Sequence, residues 1–186
     1  MAQLIVTAFV SLDGVMEDPG GGTYRHAGWT FSEVPFVEEA YELKGREQEE
    51  CSALLLGRRS YEEFAPVWPS MDEFERYNSL PRYVVSTTMT ETHPDWPATI
   101  LRSVDDVARV KEEVDGQIQV HGSATLGKSL ADAGLVDRYD LLVFPLLLGE
   151  GKRLFSESVT DVTKLRLVEH EVYANDIQKL VYDVVR

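Results

Sequence analysis

The chain has 186 residues, 44% apolar and 27% charged, with a formal net charge of −14, which is the size and composition of one globular domain with a full core. So acidic a surface repels nucleic acid and anionic membrane and makes both poor partners. No apolar run approaches the roughly 20 residues that span a bilayer. The single Cys51 rules out an internal disulfide framework and suits a reducing cytoplasm, while the scattered His26, His93, His121 and His170 offer no metal-ligand spacing.

Leu4 to Val10 (LIVTAFV) is a continuous apolar run rich in β-branched residues and predicts a buried first strand rather than a signal peptide. It breaks at Ser11-Leu-Asp-Gly14, and Asp18-Pro-Gly-Gly-Gly22 signals a loop. Ser32 to Pro35 reads as a helix start, with Phe36, Val37, Ala40, Tyr41 and Leu43 as its buried stripe and Glu38, Glu39 and Glu42 outside. Ala53 to Leu56 is a short strand ending at Gly57-Arg58-Arg59-Ser60, where Ser60 and Glu63 form a capping-box pattern. Residues 64–80, with Pro66, Trp68 and Pro69, read as irregular.

Tyr83 to Val85 and Thr99 to Leu101 are further short strands, the first running into Ser86-Thr87-Thr88. Ser103 and Asp106 cap a helix whose Val104, Val107, Val110 and Val114 share a face. Ile118 to Val120 and Tyr139 to Phe144 are strands, and Leu165 to Tyr173 with Gln178 to Val185 form an antiparallel hairpin turning at Ala174-Asn175-Asp176. Strands alternating with helices imply an α/β sheet, mostly parallel with an antiparallel end, in a single domain over 1–186.

Between two of these strands, Gly122-Ser-Ala-Thr-Leu-Gly127-Lys128-Ser129 matches the phosphate-loop pattern of nucleotide triphosphatases letter for letter. In such a loop the Lys and Ser open a helix of ordinary length, but Gly134 closes this one after about two turns. With Ser123 as N-cap instead, Leu126 and Leu130 become an i, i+4 core pair, Gly134 the C′ glycine and Leu135 its apolar contact. No candidate strand ends in the acidic residue that would hold magnesium. The triphosphatase reading is the disfavoured alternative.

A strand, then Gly122-Ser123, then a helix start presents free backbone N–H groups and a positive dipole end, which suit a pyrophosphate; a tight turn needing Gly122 for backbone reasons alone explains the letters equally well. The other strand ends tip the balance. Gly57-Arg58-Arg59-Ser60 and Ser86-Thr87-Thr88 follow strands too, and ligands of open α/β sheets bind outside the carboxyl ends of strands. Hydroxyls with an arginine suit a ribose 2′-phosphate, which points to NADP rather than NAD. Singly, Arg58 and Arg59 read as solvated surface charges.

The ordered segments LIVTAFVSLDG, LLLGRRSYEEF, RYVVSTT, ATILRSVDDV, IQVHGSATLGKSL and DRYDLLVFPLLLGEGKRLF resemble the dihydrofolate reductase superfamily, in particular the branch of the riboflavin-biosynthesis deaminase/reductase C-terminal (reductase) domain. The resemblance runs the whole chain and is weakest between Glu17 and Cys51. It implies a three-layer fold with a central eight-stranded, mostly parallel sheet, NADPH as cofactor, and hydride transfer to a C=N or C=O group of a pterin-like or ribosylaminopyrimidine substrate. By the same resemblance Gly57, Arg58, Arg59 and Ser60 match the turn that holds cofactor phosphate. Ser86, Thr87 and Thr88 match the segment beside the 2′-phosphate, and Gly122, Ser123, Ala124, Thr125 and Leu126 match the glycine-rich turn at the pyrophosphate. Ser123 stands where the family commonly has a second glycine. A homodimer is expected because riboflavin-type relatives dimerise. No H-x-E or P-C-x-x-C signature is present, so no deaminase chemistry is expected.

Dihydrofolate reductases place a proton-assisting acid on the first helix; here Glu38, Glu39 and Glu42 read as a solvated face. The catalytic candidates are Asp13, at the end of the first strand, and Glu150, between Gly149 and Gly151, each with an ordinary reading as a turn aspartate and a loop charge. Lys152 and Arg153 would draw in a substrate phosphate or merely flank the loop, and Trp29, Phe31, Tyr61 and Trp68 would line a flat ring pocket or fill satellite core. His121 is expected to pack under the pyrophosphate turn and Cys51 to pack in the core. A non-catalytic NADP-binding relative is the principal alternative to a working reductase.

Overall fold

The computed structural model describes residues 1–155 and 162–186. Its strands are β1 (Gln3–Ser11), β2 (Cys51–Gly57), β3 (Arg82–Val85), β4 (Thr99–Leu101), β5 (Gln117–His121), β6 (Arg138–Phe144), β7 (Lys164–Val172) and β8 (Gln178–Val185). Its α-helices are α1 (Trp29–Ser32), α2 (Glu42–Glu50), α3 (Arg58–Phe64), α4 (Glu75–Asn78), α5 (Val104–Glu113) and α6 (Ala124–Asp132). The strands form one sheet in the order β4-β3-β2-β5-β1-β6-β8-β7. All contacts from β4 to β6 are parallel, and β8 runs antiparallel to both β6 and β7.

Because side chains alternate along a strand, each central strand feeds two cores. Leu4, Val6, Ala8 and Val10 of β1 pack with Val107 and Val110 of α5 and with Leu126 and Leu130 of α6. Across the sheet, Leu54 and Leu56 of β2 meet Tyr61, Tyr77 and Trp96. Leu142 and Phe144 of β6 meet Trp29 and Leu43. Helices on both faces explain why β2 reads as an unbroken apolar run: Leu54, Leu55 and Leu56 are all fully buried, each stabilising the fold by about 1.5–3 kcal/mol.

Three local expectations change. The helix predicted from Ser32–Pro35 does not form there. The residue before a proline is pushed out of the α region, so α1 ends at Ser32, a 3-10 turn spans Glu38–Tyr41 and the regular helix begins at Glu42. Of the predicted stripe, Ala40 and Leu43 are buried while Phe36 is exposed. The Ser60–Glu63 capping box is absent, because α3 starts straight from β2 with extended Gly57 as its N-cap and Ser60 already inside the helix. Residues 64–80 contain α4 and two 3-10 turns. The Ser103–Asp106 capping box forms as expected, and Gly134 and Leu135 close α6 by donating to Ala131 O at 2.9 Å and Leu130 O at 3.0 Å. No helix among the described residues is long and apolar enough to cross a membrane.

Candidate functional site

Parallel strands β1 to β6 put their carboxyl ends on one edge of the sheet, so the polar tips of β2, β3 and β5 meet there. The β2 and β5 tips are joined through side chains. Gly57 N–H donates to Ser123 Oγ at 2.8 Å, and the Ser60 and Ser123 hydroxyls lie 2.8 Å apart. Ser123 is the N-cap of α6 as expected, yet its hydroxyl makes no cap. Its positive φ of 62° aims the side chain across to β2, and the Gly57 amide claims it.

This junction leaves no room for side chains at its two glycines. A Cβ on Gly57 would stand 2.6 Å from Ser123 Oγ and 3.0 Å from Ser123 Cβ; one on Gly122 would stand 2.9 Å from Ser60 Oγ, at a φ of +64°. The first helical bond of α6 runs from Gly127 N–H to Ser123 O at 2.8 Å. The amides of Ala124, Thr125 and Leu126 therefore precede the ladder and face outward at the positive end of the helix. Ala124 and Leu126 bury their side chains, so they offer only backbone.

Residues Ala124 to Ser129 are all helical, and Ser129 Oγ donates back to Thr125 O at 3.1 Å. The last six of the eight phosphate-loop letters thus lie in a helix, with Lys128 and Ser129 in its second turn rather than at its start, and the triphosphatase reading fails on this geometry.

At the β2 and β3 tips the two arginines part. Arg58 Nη1 donates to Thr88 Oγ1 at 3.1 Å, bridging the tips beside a groove of about 680 Å³ lined by Arg58, Tyr61, Thr88, Thr90 and His93. Arg59 turns the other way, to Glu63 at 2.9 Å and to Glu17 and Asp18 at 3.4 Å. Ser86 is buried, its Oγ accepting the Met89 amide at 2.9 Å. Only Thr87 and Thr88 of the expected hydroxyl trio are exposed.

The catalytic candidates sit at the β1 and β6 exits and are engaged elsewhere. Asp13 accepts Ser11 Oγ at 2.6 Å, Gly149 N–H at 2.8 Å and Leu148 N–H at 3.2 Å. Burial opposes its charge, but these donors outweigh it and hold the carboxyl below its usual range. Asp13 is a fixed carboxylate latching the β6 exit, which does not suit a proton donor. Glu150 is exposed and paired with Arg25 at 3.0 Å, its solvated reading. Of the ring-pocket candidates, Trp29 and Tyr61 are core, Trp68 stacks on Phe64 and Phe74, and only Phe31 is exposed. His121 packs under its turn against Tyr77 and Trp68, and burial pushes it down to about 3, so it is neutral.

The acid that does point inward is one the sequence reading passed over. Glu47 of α2 is 2% exposed and accepts Thr7 Oγ1 at 2.8 Å and Lys44 Nζ at 3.0 Å. Lys44 also donates to Thr7 Oγ1 and stands 5.2 Å from the Phe9 ring centroid. Phe9 is one side of an aromatic wall in which Tyr41 stacks with Phe31 and Phe36. The signal was available: Leu43 and Glu47 are i, i+4, so the buried stripe continues onto a carboxylate. Burial raises the Glu47 carboxyl, with Lys44 and Thr7 pulling back. Asp140, opposite Thr7 on β6, is pushed up to about 6 by burial and then by Glu47.

Comparison with known proteins agrees with this architecture. The family model of the RibD C-terminal domain matches residues 2–179. The "Uncharacterized protein YyaP" of Bacillus subtilis is 24% identical over 97% of this chain and 94% of its own. The "Putative riboflavin biosynthesis protein" of Shewanella sp. PV-4 superposes with a TM-score of 0.79 at 24% identity, covering 99% of both chains. Dihydrofolate reductase from Enterococcus faecalis, complexed with NADP(H), superposes with a TM-score of 0.65 at 15% identity over 99% of this chain and 97% of that one.

Proposed function

Because the chain belongs to the RibD C-terminal domain family, we propose that it is an NADPH-dependent reductase of a flat heterocyclic C=N or C=O compound, of the pterin or ribosylaminopyrimidine kind. The observation that carries this reading is the junction of the β2, β3 and β5 tips: a glycine-lined cradle of free amides beside an arginine and two hydroxyls. Gly122, Ser123 and the amides of Ala124, Thr125 and Leu126 would hold the pyrophosphate. Gly57 and Ser60 keep that turn in place, and Arg58 with Thr87 and Thr88 would take the 2′-phosphate. Arg59, committed to Glu17 and Asp18, instead ties the loop after β1 to this edge.

Bound NADPH supplies the hydride. With the adenosine end over β2 and β3 and the pyrophosphate at β5, the reacting end would lie toward the β1 and β6 exits, where the aromatic wall of Phe9, Phe31, Phe36 and Tyr41 would offer ring-sized apolar contact. Lys44, held by Glu47 and Thr7 beneath that wall, is the proton-bearing group we assign to the acceptor atom. Lys44→Met should lower kcat about 100-fold, a general-acid effect, with NADPH binding unchanged; an unaltered kcat would remove Lys44 from the chemistry.

Calorimetry tests the cofactor assignment. Arg58→Ala should weaken NADPH about tenfold and leave NADH unchanged, since it removes one charge-assisted contact to the extra phosphate. Equal losses for both cofactors would refute it. Tight NADPH binding without oxidation by any pterin or pyrimidine would favour a non-catalytic relative.

A further inference from the structure

At the edge that would meet the substrate, the cations are already answered by acids. Arg25 is held by Glu150 at 3.0 Å, and Arg153 lies 3.9 Å from the Asp13 carboxylate and also donates to the Asp13 carbonyl. Beneath the wall, Lys44 is held by Glu47. Glu17 engages two cations of this edge, Arg59 at 3.4 Å and Lys152 Nζ at 3.2 Å, and also accepts the Lys152 amide at 3.0 Å. It is fixed in place, with its side chain 16% exposed, because the loop after β1 is tied to the β6 exit by Met16 N–H to Lys152 O at 2.8 Å and Leu154 N–H to Gly14 O at 2.9 Å.

Arg58 makes the contrast. It reaches across to Thr88 at the adenosine end, with only an exposed, long contact to Glu62 at 3.7 Å. One end of the edge therefore presents a cation to a phosphate, while the other presents carboxylates and aromatic rings.

From this, and resting on the reductase reading above, we infer that the substrate is a flat ring compound without a phosphate, neutral or cationic, and that Glu17 is the residue that excludes phosphorylated forms. A phosphate at the β1 and β6 exits would have to displace Glu17 from Arg59 and Lys152, or else sit beside Glu17, Asp13 and Glu150 in a protein of net charge −14. Like charges at such range repel through water and are screened by salt.

The test is calorimetric titration of 5-amino-6-ribosylaminouracil and its 5′-phosphate, each with and without saturating NADP⁺, at ionic strengths of about 20 and 300 mM. The unphosphorylated compound should bind at least tenfold more tightly at low salt, with the gap closing to about threefold at high salt. Glu17→Gln should tighten the phosphorylated compound several-fold and leave the other unchanged. A phosphorylated compound that binds more tightly in wild type, or weakens as salt rises, overturns the inference, as does failure of the unphosphorylated compound to bind at all. If Glu17→Gln does not fold, the wild-type salt series decides alone. Indifference of both titrations to NADP⁺ would count against the cofactor assignment, while the ranking of the two compounds judges the charge inference separately.

Discussion

Asp140→Asn is expected to stabilise the protein at pH 7.5 by about 2 to 3 kcal/mol, an unusual sign for a buried polar substitution. Asp140 is 5% exposed, its Oδ1 has no hydrogen-bond partner, and burial with the nearby Glu47 pushes it up to about 6 from 3.8. Lys44, Arg138 and Arg46 pull it down, but not enough. A carboxyl whose folded pKa lies above its unfolded value keeps the native state at full stability below about pH 4. That stability is lost as the pH rises through about 6, because the unfolded chain ionises freely while the folded one resists. Asparagine keeps the shape and removes the titration. The gain should therefore be about half as large at pH 5 and should saturate above pH 7, corresponding to about 5 to 10 °C in Tm at neutral pH. Urea unfolding of both proteins across this range measures it. A gain independent of pH, or a loss at pH 7.5, would show that the carboxylate is satisfied in the fold.

What could be read in the sequence, and what could not, follows one division. The strands and their tips were legible because β1, β2 and β6 are apolar runs cut off by Gly, Ser or Pro. The helix of Ser103 was legible because its cap is local. Ser60 was misjudged, and Ser123 was rightly placed at the N-cap but without a capping hydroxyl, for the opposite reason. Both carry the letters of a helix cap, yet their hydroxyls are taken by each other, 63 residues apart, and that of Ser123 also by the Gly57 amide, 66 residues away. A tertiary partner overrode a local pattern. Glu47 was hidden by its company: Glu42, Glu49 and Glu50 on the same helix are exposed, and composition alone cannot tell the one carboxylate that faces Thr7 from three that face water. Asp13 was found, but its role depended on amides of residues 148 and 149 that only the fold brings near.

The cofactor cradle yields the largest expected loss and also its own rescue. Gly57→Ala should weaken NADPH binding at least 100-fold and destabilise the fold by about 1 to 3 kcal/mol. Its new methyl group would meet Ser123 Oγ at 2.6 Å and, less forgivingly, Ser123 Cβ at 3.0 Å. The hydroxyl can rotate away, but the Cβ is bound to the backbone of the very turn that presents the amides, so relief must move the turn. Ser123→Gly alone removes the contact to the Gly57 amide while easing a left-handed residue at φ 62°, and should cost under tenfold in NADPH affinity because the backbone donors remain. The double variant Gly57→Ala/Ser123→Gly clears both collisions. It should recover most of the affinity lost by Gly57→Ala, making the two substitutions strongly non-additive, as expected of residues in contact. NADPH fluorescence titration on the four proteins of this cycle reads the coupling. Additive losses would mean that the β2 and β5 tips do not form a single cofactor cradle, and the assignment of that edge to NADPH would have to be abandoned.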